Sequence, residues 1–157
     1  MPGNVHIRRA TTEDIDALLK MAAEMTASAS AEVWKLHPDG SRPAYEEAIA
    51  SSESTAFVAL ADGEIVGVLV AQAHSDPTGP PATRRYVQLS ELGVREGYRR
   101  RGIGRALVGR AERWARGRGI SRVELSVEGF NDEARGFYGD LGFSARTQRL
   151  CKVLDGE

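Results

Sequence analysis

Arg99-Arg100-Arg101-Gly102-Ile103-Gly104-Arg105 joins the end of an apolar stretch to the start of an amphipathic one, and residues of these types at this spacing suit a diphosphate. Glycines at 102 and 104 let the main chain curl until successive N–H groups converge. The helix that follows adds the positive end of its dipole, and the arginines add screening charge. The neighbouring residues narrow the ligand. A nucleoside-triphosphate loop requires Lys-Ser/Thr after its second glycine, whereas Gly97 and Gly102 are followed by Ile103-Gly104. A dinucleotide fingerprint requires Gly or Ala three residues beyond Gly104, where Leu107 stands. A solvated loop that only caps a helix is the alternative at this point.

The elements that must hold this turn alternate along the chain. Val5 to Arg9 reads as a strand, and Thr11-Thr12-Glu13-Asp14 places hydroxyl caps and first-turn acids ahead of Ile15, Leu18, Leu19, Ala22 and Met25, the apolar stripe of a helix. Residues 27–52 are rich in Ala and Ser and predict a short helix from Arg42 to Ser51, with Pro43 in its tolerated first turn. Ser54–Ala61 and Glu64–Gln72 are β-rich runs joined by Asp62-Gly63, a two-residue hairpin turn. A proline-rich loop over 73–83 leads to a strand from Arg85 to Val94. Beyond the glycine turn, Ile103, Leu107, Ala111 and Trp114 mark a helix that Gly117 and Gly119 end. Arg122 to Val127 alternates as a strand, Asn131 caps a further helix, and the last strands are expected from Phe143 to about Leu154. Strand, helix, strand with a right-handed crossover makes the two central strands parallel neighbours. The expected sheet is mixed, antiparallel at first and parallel at its centre, in a single α/β domain over residues 1–157.

Size and charge bound the partners. A chain of 157 residues buries roughly two thirds of its unfolded surface in one domain. Formal net charge is -1, yet residues 95–122 hold ten of the 21 basic residues against two acids. One pole suits an anionic ligand, and the acidic remainder could suit a cationic amine. The same arginines raise a nucleic-acid module as an alternative class, but they are tied to a glycine turn and a helix with a substantial apolar face, which argues against it. The single cysteine, Cys151, excludes an internal disulfide and is expected to pack in a strand. No apolar run reaches the 18 residues of a membrane span and no signal-peptide pattern opens the chain, so a cytoplasmic protein without membrane contact is expected. His6, His37 and His74 share no metal-ligand spacing, so no metal is expected.

Two motifs then carry a family resemblance: Glu91-Leu92-Gly93-Val94 leading into Arg99-x-x-Gly102-x-Gly104, and Asn131-x-x-Ala134-x-x-Phe137-Tyr138-x-x-Leu141-Gly142-Phe143. Together, in this order, they resemble the GNAT acyl-CoA-dependent N-acyltransferases over residues 85–143, while residues 1–84 match only in the order of elements. The resemblance implies a mixed sheet splayed between its fourth and fifth strands, with acetyl-CoA in the gap. The pyrophosphate would sit on main-chain N–H groups of Arg99, Arg100, Arg101, Gly102, Ile103, Gly104 and Arg105. The pantetheine would pair like an added strand with Leu92, Gly93 and Val94.

The same resemblance implies the catalytic roles. Tyr138 stands where the family places a tyrosine near the thioester sulfur, and a phenol keeps its proton at neutral pH until a thiolate forms; an ordinary core aromatic is the alternative. Glu91, alternating away from Leu92, could draw a proton from the amine directly or through water, or be an outward charge. Ser90 and Gln88 face the other side in regular alternation, unless a bulge near Gly93 changes which side chains face the gap. Asn131 caps its helix and could also touch CoA. Trp34 and Tyr45 could wall an acceptor pocket, or pack. The implied reaction is direct acetyl transfer to a small-molecule or peptide amine, with a homodimer possible through the C-terminal strands. An acyl-CoA-binding sensor without catalysis is the alternative.

Overall fold

The computed structural model describes residues 4–26, 41–127, 129 and 131–156. Trp34, His37 and the expected Ala/Ser-rich connection lie outside them. β1 (Val5–Arg9) pairs antiparallel with β2 (Ser54–Ala61), β2 with β3 (Glu64–Ser75), and β3 with β4 (Arg85–Val94). β4 pairs parallel with β5 (Val123–Glu124), giving the order β1-β2-β3-β4-β5. The mixed sheet is therefore the expected one. The Asp62-Gly63 turn has φ of 51° and 82°, the paired positive values that match the twist of a tight hairpin.

Each face of the sheet carries its own core. On one, α3 (Ile103–Gly117) and α4 (Asp132–Asp140) bring Ile103, Leu107, Ala111, Ala134 and Tyr138 against Leu69, Leu89, Leu92 and Val94. On the other, α1 (Ile15–Thr26) and α2 (Ser41–Ala50) bring Leu18, Met21, Met25, Tyr45 and Ala48 against Val58, Val68 and Val70. Each fully buried Leu or Ile side chain stabilises by about 1.5–3 kcal/mol. The α3 face is drawn close at Gly67, where an added Cβ would lie 3.2 Å from Leu107 Cδ1 and 3.3 Å from both Ile103 Cγ2 and the Gly93 carbonyl oxygen. Any side chain there would push the head of α3 off the sheet. The start of α1 is pinned by Asp14, which accepts from the Thr11 N–H at 2.7 Å and from two Arg8 guanidinium nitrogens at 2.8 and 2.9 Å. The first helix thus follows from its capping box.

Three expectations are corrected. The strand expected over Arg122–Val127 is confined to Val123–Glu124, because β5 meets β4 only at Val87↔Val123 and Gln88↔Glu124 before the two diverge. The strands expected from Phe143 to Leu154 are absent: Phe143 is half-buried against the α3 face, but residues 144–156 carry no strand and are exposed. Alternating apolar residues need backbone pairing with a strand edge to form a ladder; Arg146 reaches Glu124 of β5 by its side chain at 3.1 Å, but among the described residues no backbone hydrogen bond pairs this segment with a strand. Cys151 is accordingly exposed rather than packed. Finally, the regular alternation expected through Ser90 is broken by a bulge there, since Ala71 faces Leu89 while Val70 faces Glu91.

Candidate active site

The site begins where β4 loses its parallel neighbour. Gln88 is the last residue paired with β5, whereas pairing on the β3 side continues through Leu69↔Leu92, Val68↔Gly93 and Gly67↔Val94. Among the described residues, no residue of β5 pairs with Leu92, Gly93 or Val94. At the end of β4 the chain makes a tight turn over Glu96–Tyr98 and then curls, with Arg100 at φ +62° and Gly102 at φ +81°. A non-glycine residue in that region costs about 1–2 kcal/mol. The curl delivers α3 with Gly102 as its N-cap and no side-chain cap hydrogen bond. Its first-turn N–H groups are therefore not occupied by a capping side chain, and they carry the positive end of the dipole of a 15-residue helix.

A groove of about 320 Å³ lies over this turn. Val94, Arg99, Arg100, Gly102, Ile103, Gly104 and Arg105 form one wall, and Phe137, Leu141, Glu133 and Asp140 of α4 and its end form the other. The structure therefore gathers most of the residues expected around an anionic ligand. Arg99 Nε donates to the Val94 carbonyl at 2.9 Å, so this side chain ties the turn to the end of the strand. Burial pulls its guanidinium below the ordinary value, against the opposing charges of Glu96 and Glu133. Arg101 is exposed and lies over the Tyr98 ring, 5.2 Å from its centroid, outside the groove lining. Tyr98, Glu133 and Asp140 also line the groove and were not singled out by the sequence; Glu133, two residues beyond the Asn131 cap, was the most accessible of them to a helical reading.

Asn131 accepts from the Ala134 N–H at 3.1 Å and caps α4. The cap turns Tyr138 inward, where it is 8% exposed, edge-on to Phe137 and Phe143. Burial pushes its phenol up to about 12, so the hydroxyl holds its proton throughout the neutral range. Tyr138 belongs to the α3/α4 core and does not line the groove.

Glu91 sits on the opposite face. The bulge lets Leu89 and Leu92 share the α3 face and turns Glu91, opposite Val70, toward α1 and α2. It is 5% exposed there. Ser90, the extra residue, donates to the Val70 carbonyl at 3.5 Å. Tyr45 is buried in the same core at 1% exposure and is tied electrostatically to Glu91. It is part of the α1/α2 core. Those residues hold no group of three or more potential metal ligands, and no helix long and apolar enough to cross a membrane.

A family model described as the acetyltransferase (GNAT) family matches residues 17–143. The chain is 26% identical over 138 residues to an aminoglycoside N(6')-acetyltransferase type 1 of Salmonella enteritidis, covering 87% of this chain and 94% of that protein. It is 53% identical over 53 residues to a mycothiol acetyltransferase of Beutenbergia cavernae, a match spanning 34% of this chain and 18% of that much longer relative. Among solved structures, an aminoglycoside N-acetyltransferase in complex with CoA superposes with a TM-score of 0.77 at 19% identity, over 96% of this chain and 94% of that one. At that identity the likeness is one of fold.

Proposed function

The chain belongs to the acetyltransferase (GNAT) family, and from that premise we propose that it moves an acetyl group from acetyl-CoA to a primary amine by direct attack in a ternary complex. The observation that carries this reading is the opening of β4 from β5 immediately before the curl at Arg99–Gly104. The residues present fit the cosubstrate. The Leu92–Val94 edge, which β5 leaves unpaired, can accept an extended amide chain by β-augmentation, and the N-terminus of α3, without a side-chain cap and beside Arg99, Arg100 and Arg105, suits its diphosphate. Acetyl-CoA brings a thioester whose carbonyl is the electrophile.

The chain's own residues then divide the proton transfers. The amine nitrogen forms the new N–C bond as the C–S bond breaks. Glu91 takes the proton lost by the nitrogen, and Tyr138 gives its proton to the departing thiolate; both reset through solvent. The two side chains come from opposite faces of the sheet. They can serve one reaction because the sheet is open between β4 and β5. In this reading a main-chain N–H near Leu92 steadies the carbonyl oxygen.

The acceptor class in this reading is a small-molecule or peptide amine. The aminoglycoside and mycothiol acetyltransferases among its relatives support it, as does the excess of acids outside residues 95–122. In this reading the reaction runs in the cytoplasm. The reading includes a homodimer in which residues 144–155 of each copy add to the open β5 edge of the other. Leu150, Val153 and Leu154 are 83%, 87% and 76% exposed, and among the described residues no backbone hydrogen bond engages this segment. Two such segments, each about 40 Å long when extended, can supply the roughly 1,200 Å² that a stable interface requires.

The test is calorimetric titration with acetyl-CoA, with ADP and free CoA as controls, followed by a panel of amines scored by thiol release. Micromolar binding that needs the pantetheine arm, with turnover of at least one amine, is the expected result. No binding at millimolar acetyl-CoA overturns the reading. Binding without turnover of any amine leaves an acyl-CoA sensor.

A further inference from the structure

β1 is an edge strand, and its open side offers an unequal set of main-chain groups. The Ala10 N–H donates to the Ala56 carbonyl at 2.8 Å, so the register makes His6, Arg8 and Ala10 the residues that bond to β2 and points the main-chain groups of Val5, Ile7 and Arg9 away from it. Two of those three carbonyls are already taken by arginines. Arg110 of α3 donates to the Ile7 carbonyl at 2.9 Å, and Arg8 donates to the Arg9 carbonyl at 3.0 Å. The edge therefore presents more donors than acceptors, which makes it a poor template for another strand and a better partner for a ligand that only accepts. Beside it, a groove of about 520 Å³ lies between β1 and α3, with His6, Ile7, Gly109, Arg110, Arg113 and Arg116 in its lining. It shares no lining residue with the groove at the start of α3.

The charge of this groove is one-sided: Arg110, Arg113 and Arg116 line it against a single acid, Glu112. Arg110 is fixed in place by the Ile7 carbonyl and by the Phe57 ring, whose centroid lies 5.0 Å from its guanidinium carbon. Arg113 and Arg116 are exposed, and among the described residues neither makes a hydrogen bond or ion pair, not even with Glu112, four residues ahead of Arg116. Gly109 stands in the interior of α3, where glycine costs about 1 kcal/mol against alanine. No neighbour demands it, since an added Cβ would meet nothing within 4 Å; what its missing side chain leaves is room in the groove. From the row of arginines, the donor-rich edge and this space we infer that the groove is a second anion site, for a linear triphosphate, free or carried by a nucleotide. Arg110 to Arg116 span about 9 Å at 1.5 Å per residue, the reach of a chain of phosphoryl groups and not of one phosphate. Ionised phosphate oxygens only accept, so they can take guanidinium N–H groups two at a time and the Ile7 N–H as well. The volume suits a nucleotide-sized ligand. The site does not depend on whether the chain transfers acetyl groups.

The test is calorimetric titration of the full chain with inorganic triphosphate and with ATP at low salt, repeated in millimolar CoA. Micromolar binding is expected, unchanged by CoA and weakened by added salt. Arg113→Glu/Arg116→Glu should weaken it about tenfold or more, because charge-assisted hydrogen bonds are replaced by repulsion. Gly109→Leu favours the helix and fills the groove, so it should keep or raise the melting temperature while abolishing binding, and it carries the test if the double variant folds poorly. Acetyl-CoA affinity should be the same in both variants, which separates this site from the acetyl-transfer reading. Equal affinities for triphosphate and ATP support a site for the phosphates alone, and tighter ATP supports a nucleotide site. No binding at millimolar triphosphate overturns the inference. So does binding that CoA displaces, which belongs to the start of α3, and so does binding that both variants retain. A single-stranded oligonucleotide that binds where triphosphate does not would overturn it in favour of a nucleic-acid surface.

Discussion

Replacement of Tyr138 by phenylalanine isolates one hydroxyl. Its phenol, pushed up to about 12 by burial, stays protonated across the working range, and the side chain is anchored edge-on between Phe137 and Phe143. Phenylalanine keeps that ring packing. The hydroxyl takes no hydrogen bond from the described residues, so its removal should change stability by less than about 1 kcal/mol. Its catalytic worth lies in donation to the sulfur as negative charge develops there. A hydrogen bond to a charged group contributes about 1.5–3 kcal/mol, which at 1.36 kcal/mol per decade is roughly a 10- to 150-fold loss of kcat. The KM for acetyl-CoA should be nearly unchanged, because the neutral thioester sulfur asks little of a donor. The pH profile gives a second check. Rising pH removes this donor only near its raised value, so wild-type kcat should show no fall owed to Tyr138 below about pH 10. Thiol release under saturating acceptor and acetyl-CoA measures both. A variant with kcat within twofold of wild type would refute the role, and a tenfold rise in KM with kcat intact would make Tyr138 a binding residue instead.

Further outcomes follow from the same structure. Gly102→Val meets open space but must adopt φ +81°, a backbone cost of about 1–2 kcal/mol; acetyl-CoA affinity by calorimetry should fall about tenfold, and full-strength binding would contradict the cradle. Arg8 holds the Asp14 carboxyl below its ordinary range, so this pair stabilises the fold fully above about pH 5 and loses its effect as pH falls through the lowered value. Asp14→Asn should therefore cost about 1–2 kcal/mol near neutrality and flatten that part of the acid limb in chemical denaturation; an unchanged acid limb would exclude the pair as its source. Light scattering after gel filtration should give a dimer for the wild type and a monomer for Leu150→Lys/Val153→Lys. A wild-type monomer would sink the strand exchange.

The sequence by itself determined the order of elements, the tight hairpin at Asp62-Gly63, the capping box before α1, and the curl from Arg99 to Gly104 that opens α3. These rest on short-range physics: the sterics of positive φ, side-chain caps, and hydrophobic periods of two or 3.6 residues. The two motifs at 91–104 and 131–143 made the acetyltransferase family legible for the same reason, since each is a local device for making a turn or starting a helix. Only the tertiary structure decided which face Glu91 occupies. Regular alternation from Val87 and Leu89 would have put it under α3, but the bulge at Ser90 turned it to α2, and a bulge is set by register against a distant strand rather than by the residues of β4 alone. Tyr45 and Glu91 share one side of the sheet only because two helices and two strands close around one apolar layer. The C-terminal alternation was equally readable, yet it formed no strand here, because alternation specifies which face a strand would bury and cannot supply the neighbouring edge that its backbone must bond.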